Sequence, residues 1–106
     1  MKIIETKIFT KRVTEVLNEE EYRELQSRLI LNPEIGQIIQ GSGGIRKVRW
    51  TGSGRGKRGG SRILYYWISK RNTILMLLIY TKKEMDDLSK DQLKVLKTLV
   101  ESELNG

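Results

Sequence analysis

The chain has 106 residues, 38% hydrophobic and 31% charged with a single proline, which fits one globular domain spanning 1–106 and excludes the disordered, collagen-like and membrane-spanning classes. Cysteine and histidine are both absent, so disulfides, thiolate nucleophiles, imidazole bases and cysteine or histidine metal sites are removed, and neither a metal nor another cofactor is expected. The net charge is +7, which directs attention to acidic partners.

Lys2 to Phe9 alternates loosely through Ile3, Ile4 and Ile8 and predicts a first strand, followed by a short helix from Thr10 with Val13, Val16 and Leu17 on one face. Nothing in Met1-Lys2-Ile3-Ile4-Glu5 resembles an export signal, so a cytoplasmic protein is the expectation. Asn18 with Glu21 three residues later predicts a capping box, and Tyr22, Leu25 and Leu29 then recur at helical spacing until Asn32-Pro33 stops the helix. Gly36 to Gly44 reads as loop or irregular strand. Ile45 to Thr51 alternates, with Val48 and Trp50 on a core face and Lys47 and Arg49 on a cationic one. Thr51 to Gly60 holds five of the ten glycines and no apolar residue, which predicts a mobile loop between two strands.

Ser61 to Ser69 is aromatic and β-branched and predicts a strand, with a turn at Lys70-Arg71-Asn72. Thr73 to Thr81 is apolar on both faces, as a central strand covered by helices is, and should pair with its predecessor as a hairpin. Its apolar run, Ile74 to Tyr80, is far too short to cross a bilayer, and no membrane association is expected. Ser89 with Gln92 repeats the capping pattern, and Leu93, Leu96, Val100 and Leu104 predict an amphipathic last helix. The expected fold class is α+β, in the order β-α-α-β-β-β-α, with an antiparallel sheet packed against helices.

Charge is segregated along the chain. The 49 residues between Glu34 and Glu84 contain no acid and 11 of the 20 basic residues, whereas the other nine basic and all 13 acidic residues sum to −4 outside it. Concentrating like charge costs self-repulsion and creates a field suited to a polyanion, so nucleic acid is the leading partner class. Solubilising charge, the competing reading, is normally interspersed in sign.

Gly54-Arg55-Gly56-Lys57-Arg58-Gly59 matches G-x-G-x-x-G on paper, but a dinucleotide site needs that turn to open a helix, and here a strand follows. A P-loop fails as well, with Thr51 in place of its first glycine and Arg58 in place of its hydroxyl residue. What remains is a glycine-freed loop whose Arg55, Lys57 and Arg58 can follow an RNA backbone, flanked by Lys47, Arg49 and Arg62. In the alternative, the glycines serve only the turn and the charges are solvated.

Gly43-Gly44-Ile45-Arg46-Lys47-Val48-Arg49, the block Gly56-Lys57-Arg58-Gly59-Gly60-Ser61-Arg62 with its aromatic strand, and Lys82-Lys83-Glu84-Met85-Asp86-Asp87-Leu88 closely resemble the RelE/HigB-like toxins of bacterial toxin–antitoxin modules, especially the HigB-type branch. The resemblance spans nearly the whole chain. It implies a small RelE-like, microbial RNase-type fold and a type II toxin that cleaves translated mRNA in the ribosomal A site, beside 16S rRNA. It also implies a cognate antitoxin as partner, in which the basic stretch predicts an acidic neutralising segment. By motif, Arg62, Lys47, Arg49 and Lys83 match the family's basic site residues and are expected to converge on one sheet face. The family's tyrosine after the last basic residue is replaced by Met85-Asp86-Asp87. Tyr80 is the substitute, although a tyrosine closing a central strand is more often core.

RNA carries its own nucleophile, the 2′-hydroxyl, so a protein without histidine or metal can cleave it by orienting that group and stabilising the phosphorane. Arg62 and Arg49 suit the phosphorane because guanidinium stays charged and donates bidentately. Lysine is the only nitrogen base available, which nominates Lys57 or Lys47 for the proton, or for simple phosphate binding. Arg46, Arg55, Arg58 and Lys82 are expected to hold the RNA backbone, and Asp86 and Asp87 to cap or salt-bridge at the last helix. A non-catalytic, ribosome-associated RNA-binding module is the alternative. A DNA-binding repressor is disfavoured, because the charge lies on strands and a loop and not on a recognition helix.

Overall fold

The structure, a computed structural model, describes residues 1–50 and 60–106. Strand β1 (Lys2–Glu5) leads into helices α1 (Lys7–Val16) and α2 (Glu19–Leu31), followed by β2 (Gln37–Ile38), β3 (Arg46–Trp50), β4 (Ser61–Ile68), a 3₁₀ turn at Ser69–Arg71, β5 (Thr73–Thr81) and α3 (Lys90–Asn105). The five strands form one sheet in the order β1-β5-β4-β3-β2. Three neighbouring pairs are antiparallel, as expected, but β1 runs parallel to β5, so the sheet is mixed and not wholly antiparallel. The predicted β-α-α-β-β-β-α order also gains a strand, because Gln37 and Ile38 pair with Lys47 and Arg46. The segment 51–59, expected to be a mobile loop, lies outside the described residues.

Thr6 decides where the first strand ends. Its hydroxyl accepts from the Phe9 amide at 3.2 Å and so caps α1, which turns Lys7 to Phe9 into the first helical turn; the strand therefore stops at Glu5, and not at Phe9 as the alternation suggests. Phe9 is then buried with Val13 and Leu17. The second helix follows the sequence closely: Asn18 Oδ1 accepts from the Glu21 amide at 2.7 Å while the Glu21 carboxylate accepts from the Asn18 amide at 3.0 Å. Ser89 and Gln92 repeat that reciprocal pair at α3, at 3.1 and 2.8 Å. At the other end, Arg71 donates to the carbonyls of Glu103 and Leu104, so α3 is fastened at both termini.

The sheet divides the core in two. Phe9, Val13 and Leu17 of α1 and Leu25 and Leu29 of α2 pack on Ile63, Tyr65, Ile74, Met76 and Ile79. Leu96 and Val100 of α3 pack on Ile45, Leu64, Leu75, Leu77 and Tyr80. The apolar character of β5 on both faces is thus explained by a helical layer on each. Among the described residues, no helix is long and apolar enough to cross a membrane.

Strand β5 carries a bulge. Leu64 stands opposite Leu78 and Tyr65 opposite Met76, leaving Leu77 as the extra residue. Leu77 and Leu78 consequently both face α3, and everything after them is turned over relative to Ile74 and Met76. The Leu77 carbonyl, displaced from the ladder, accepts from the Thr6 hydroxyl at 2.9 Å, and the Thr6 amide donates to Met76 O. One hydroxyl thus both caps α1 and satisfies the bulge. Thr6→Val, which keeps the shape and removes the hydroxyl, should lower unfolding free energy by about 2 to 3 kcal/mol, from a lost cap and an unsatisfied carbonyl. Thr6→Ser should recover most of it in urea titrations.

Candidate nucleic-acid interface

Register brings the predicted basic residues together. Arg49 on β3 stands directly opposite Arg62 on β4, and Arg62 directly opposite Tyr80 on β5. Directly opposed residues share a sheet face, so Arg49, Arg62 and Tyr80 form a row across three strands, and Lys47, two residues before Arg49, lies on the same face. Val48 and Trp50 face the other way and pack on the α1/α2 core, as the alternation of β3 predicts. The glycine turn before β3 sets this register: Gly43 and Gly44 have φ of +75° and +113°, and Ser42 Oγ accepts from the Ile45 amide at 2.9 Å.

Two arginines opposed across a strand pair repel and destabilise the sheet. The repulsion matters more because Arg62 is only 8% exposed, with Nη1 3.4 Å from Gly60 O. Arg49, by contrast, is exposed. A bound phosphate would neutralise both guanidinium groups at once.

Tyr80 completes the row from below. It is 1% exposed and packs in the α3 core, yet its hydroxyl has no hydrogen-bond partner among the described residues. Burial pushes its phenol up from the ordinary value, the Asp87 carboxylate adds to the rise, and the Arg62 guanidinium opposes it. Tyr80 is therefore a neutral phenol with a proton to donate beside Arg62. The ring is core, as a tyrosine closing a central strand usually is, and the hydroxyl lies near enough to Arg62 and Asp87 for both charges to act on it.

Asp87 is the residue that sequence reasoning placed differently. It was expected to serve the last helix, whereas its Oδ1 lies 3.4 Å from Lys47 Nζ on β3. The capping role at α3 belongs instead to Ser89, two residues on. A carboxylate thus sits beside Lys47 on the cationic face. The only signal for this in the sequence is that Asp86 and Asp87 follow the acid-free stretch closely.

Arg46 is turned away from this face. It stands opposite Tyr65, donates to Gly36 O at 2.7 Å and Glu34 O at 3.1 Å, and pairs with the Glu34 carboxylate at 3.4 Å. With the Tyr65 hydroxyl, which donates to Pro33 O and accepts from the Gly36 amide, it pins the segment following α2. The physical reason is the period of two: if Lys47 and Arg49 face the cationic side, Arg46 cannot. Lys82 and Lys83 are exposed in the turn after β5, at the sheet end where Arg49 and Arg62 lie, but on the turn and not on the sheet face. Glu84 fixes that turn by accepting from the Thr81 amide and from Arg12. These bonds hold its carboxyl below the ordinary carboxylate range. Arg55, Lys57 and Arg58 lie outside the described residues. Among the described residues, no group of three or more carboxylates is placed to hold a metal ion.

Residues 1–105 match the family described as the RelE toxin of the RelE/RelB toxin–antitoxin system. The fold is similar to that of the isolated E. coli RelE toxin, with a TM-score of 0.60 at 12% identity over 92% of this chain and 97% of that one. It is similar to the intact E. coli RelBE toxin–antitoxin complex at 0.60 and 12% identity, over 76% of this chain and 94% of that one. A double arginine-to-alanine mutant of E. coli RelE in the free state gives 0.58 at 13% identity, over 80% of this chain and 86% of that one.

Proposed function

Since this chain belongs to the RelE toxin family of toxin–antitoxin systems, and is thereby a translation-inhibiting toxin, we propose that it cleaves translated mRNA in the ribosomal A site as a metal-independent endoribonuclease of the cytoplasm. The observation that carries this reading is the Arg49–Arg62 pair, like charges directly opposed on neighbouring strands. Such a pair weakens the free protein and becomes favourable when an anion bridges it.

In this reading the scissile phosphate seats between Arg49 and Arg62, whose guanidinium groups stabilise the extra negative charge of the phosphorane. The RNA 2′-hydroxyl attacks phosphorus, giving its proton to the neutral amine form of Lys47 or Lys57, and the P–O5′ bond breaks to leave a 2′,3′-cyclic phosphate, the 5′-oxygen taking its proton from the resulting ammonium or from water. The neutral Tyr80 hydroxyl lies buried beside Arg62 at the end of the row. Where Lys57 takes the proton, Lys47 remains an ammonium and a phosphate oxygen replaces Asp87 as its partner. Lys83 and Lys82, with Arg55 and Arg58, supply charge along the backbone on either side. The cognate antitoxin neutralises this surface with an acidic segment.

Induction of the protein in growing cells, followed by mapping of mRNA 5′ ends, tests the proposal. New ends inside translated codons, together with growth arrest relieved by the co-expressed antitoxin, are expected. Arrest with intact mRNA would turn the reading into that of a non-catalytic ribosome-binding module.

A further inference from the structure

We propose that Lys90, Lys94 and Lys97, along one edge of α3, form a second, non-catalytic contact to the phosphate backbone of ribosomal RNA. The inference rests on the ribosomal reading above and extends it to a surface that the cleavage chemistry does not use.

At 3.6 residues per turn the three lysines fall within about 60° of arc and rise about 10 Å along the helix. The edge has a definite place in the fold. Lys97 Cε lies 3.9 Å from where a Cβ on Gly43 would stand, so this side of α3 overlooks the turn that enters β3. The opposite edge, Gln92, Val95 and Leu99, lines an apolar cleft with Ile8 of α1. The lysine edge begins three residues beyond Asp87, whose carboxylate pairs with Lys47 of β3. Glu101 ends the stripe one turn past Lys97.

Three features make this arrangement unfavourable for the helix alone. Lys90 and Lys94 are like charges at i, i+4 and Lys94 and Lys97 at i, i+3, each pair repelling. Lys90 is the first residue of α3, where the helix dipole disfavours a cation. None of the three is in any salt bridge among the described residues. A polyanion relieves both the like-charge repulsion and the penalty of a cation at the helix start. Rigidity argues for a preformed backbone over the threaded codon: α3 is capped at Ser89 and tied down by Arg71.

The test measures binding of the full chain to ribosomes without mRNA across a salt series. Glutamine has nearly the helix propensity of lysine, so Lys90→Gln, Lys94→Gln and Lys97→Gln combined should fold. The slope of log affinity against log salt should flatten by about 2 to 3 relative to wild type. A variant with the same charge loss elsewhere, Lys2→Gln, Lys7→Gln and Lys11→Gln, should keep most of the slope. Equal flattening in both variants would reduce the effect to net charge and overturn the proposal. A triple variant with the wild-type slope would overturn it while leaving the ribosomal reading intact. Weakened binding of the antitoxin alone would assign this edge to a protein partner and likewise overturn it. Wild-type protein with no measurable ribosome affinity would remove the underlying reading, and the proposal with it.

Discussion

Arg62→Ala should cleave mRNA on programmed ribosomes about 10²- to 10³-fold more slowly than wild type, the loss expected when one donor to a developing oxyanion is removed. Arg62 is the centre of the three-strand row, flanked by Arg49 on one side and Tyr80 on the other. In the proposed reaction, burial would make its guanidinium a stronger stabiliser of phosphorane charge than that of the exposed Arg49, because the surrounding dielectric is low. Arg49→Ala should accordingly lose less. Arg62→Lys separates charge from geometry: an ammonium retains attraction and forfeits the planar fork, so its rate should fall between wild type and alanine. Arg62 is buried and donates to Gly60 O, so urea titration of Arg62→Ala accompanies the rate measurement and separates a loss of folding from a loss of chemistry. A folded Arg62→Ala protein that cleaves at the wild-type rate would take Arg62 out of the site.

Cleavage of the same mRNA should be slower by roughly 10⁵-fold when it is bare than when it sits in a ribosome with an empty A site, the equivalent of about 7 kcal/mol of positioning. The chain has no histidine, and its buried phenol is held neutral, so its acid–base equipment is weak. In the proposed reaction its basic surface would draw RNA near without orienting it. A codon bent by the ribosome presents the 2′-hydroxyl closer to in-line geometry, supplying what the protein lacks. Single-turnover assays with purified protein, on both forms of the RNA and at two salt concentrations, measure this directly. Equal rates on the two would replace a ribosome-dependent toxin with a free ribonuclease.

Much of this was legible from local chemistry. The capping boxes at Asn18 and Ser89 are short-range devices, and both form as the sequence indicates. The alternation of β3 assigned Val48 and Trp50 to the core and Lys47 and Arg49 to the charged face, because side-chain direction in a strand depends only on position. The same period also forces Arg46 onto the core side, where it bonds the carbonyls of Glu34 and Gly36. Charge counting treated it as one more cation, since a net charge carries no direction. The parallel pairing of β1 with β5 and the reach of Asp87 to Lys47 were not legible, because each joins residues 40 or more apart along the chain. Thr6 was missed for a different reason: a β-branched threonine in a loosely alternating stretch between Ile4 and Ile8 suits a strand as well as it suits a cap.

The extra residue at Leu77 gives β5 a change of parity. Up to Met76 the even-numbered side chains belong to the α1/α2 layer, whereas after Leu77 the odd-numbered Ile79 does, and Tyr80 joins the α3 layer beside Arg62. A strand that is oily on both sides keeps no written trace of such a switch, since either parity buries equally well. Only at its polar end does the choice register, where it decides whether a phenol meets an arginine or the opposite layer. One inserted codon in the least distinctive part of the chain is therefore enough to deal a side chain into the charged row or out of it, with no change to any charged residue.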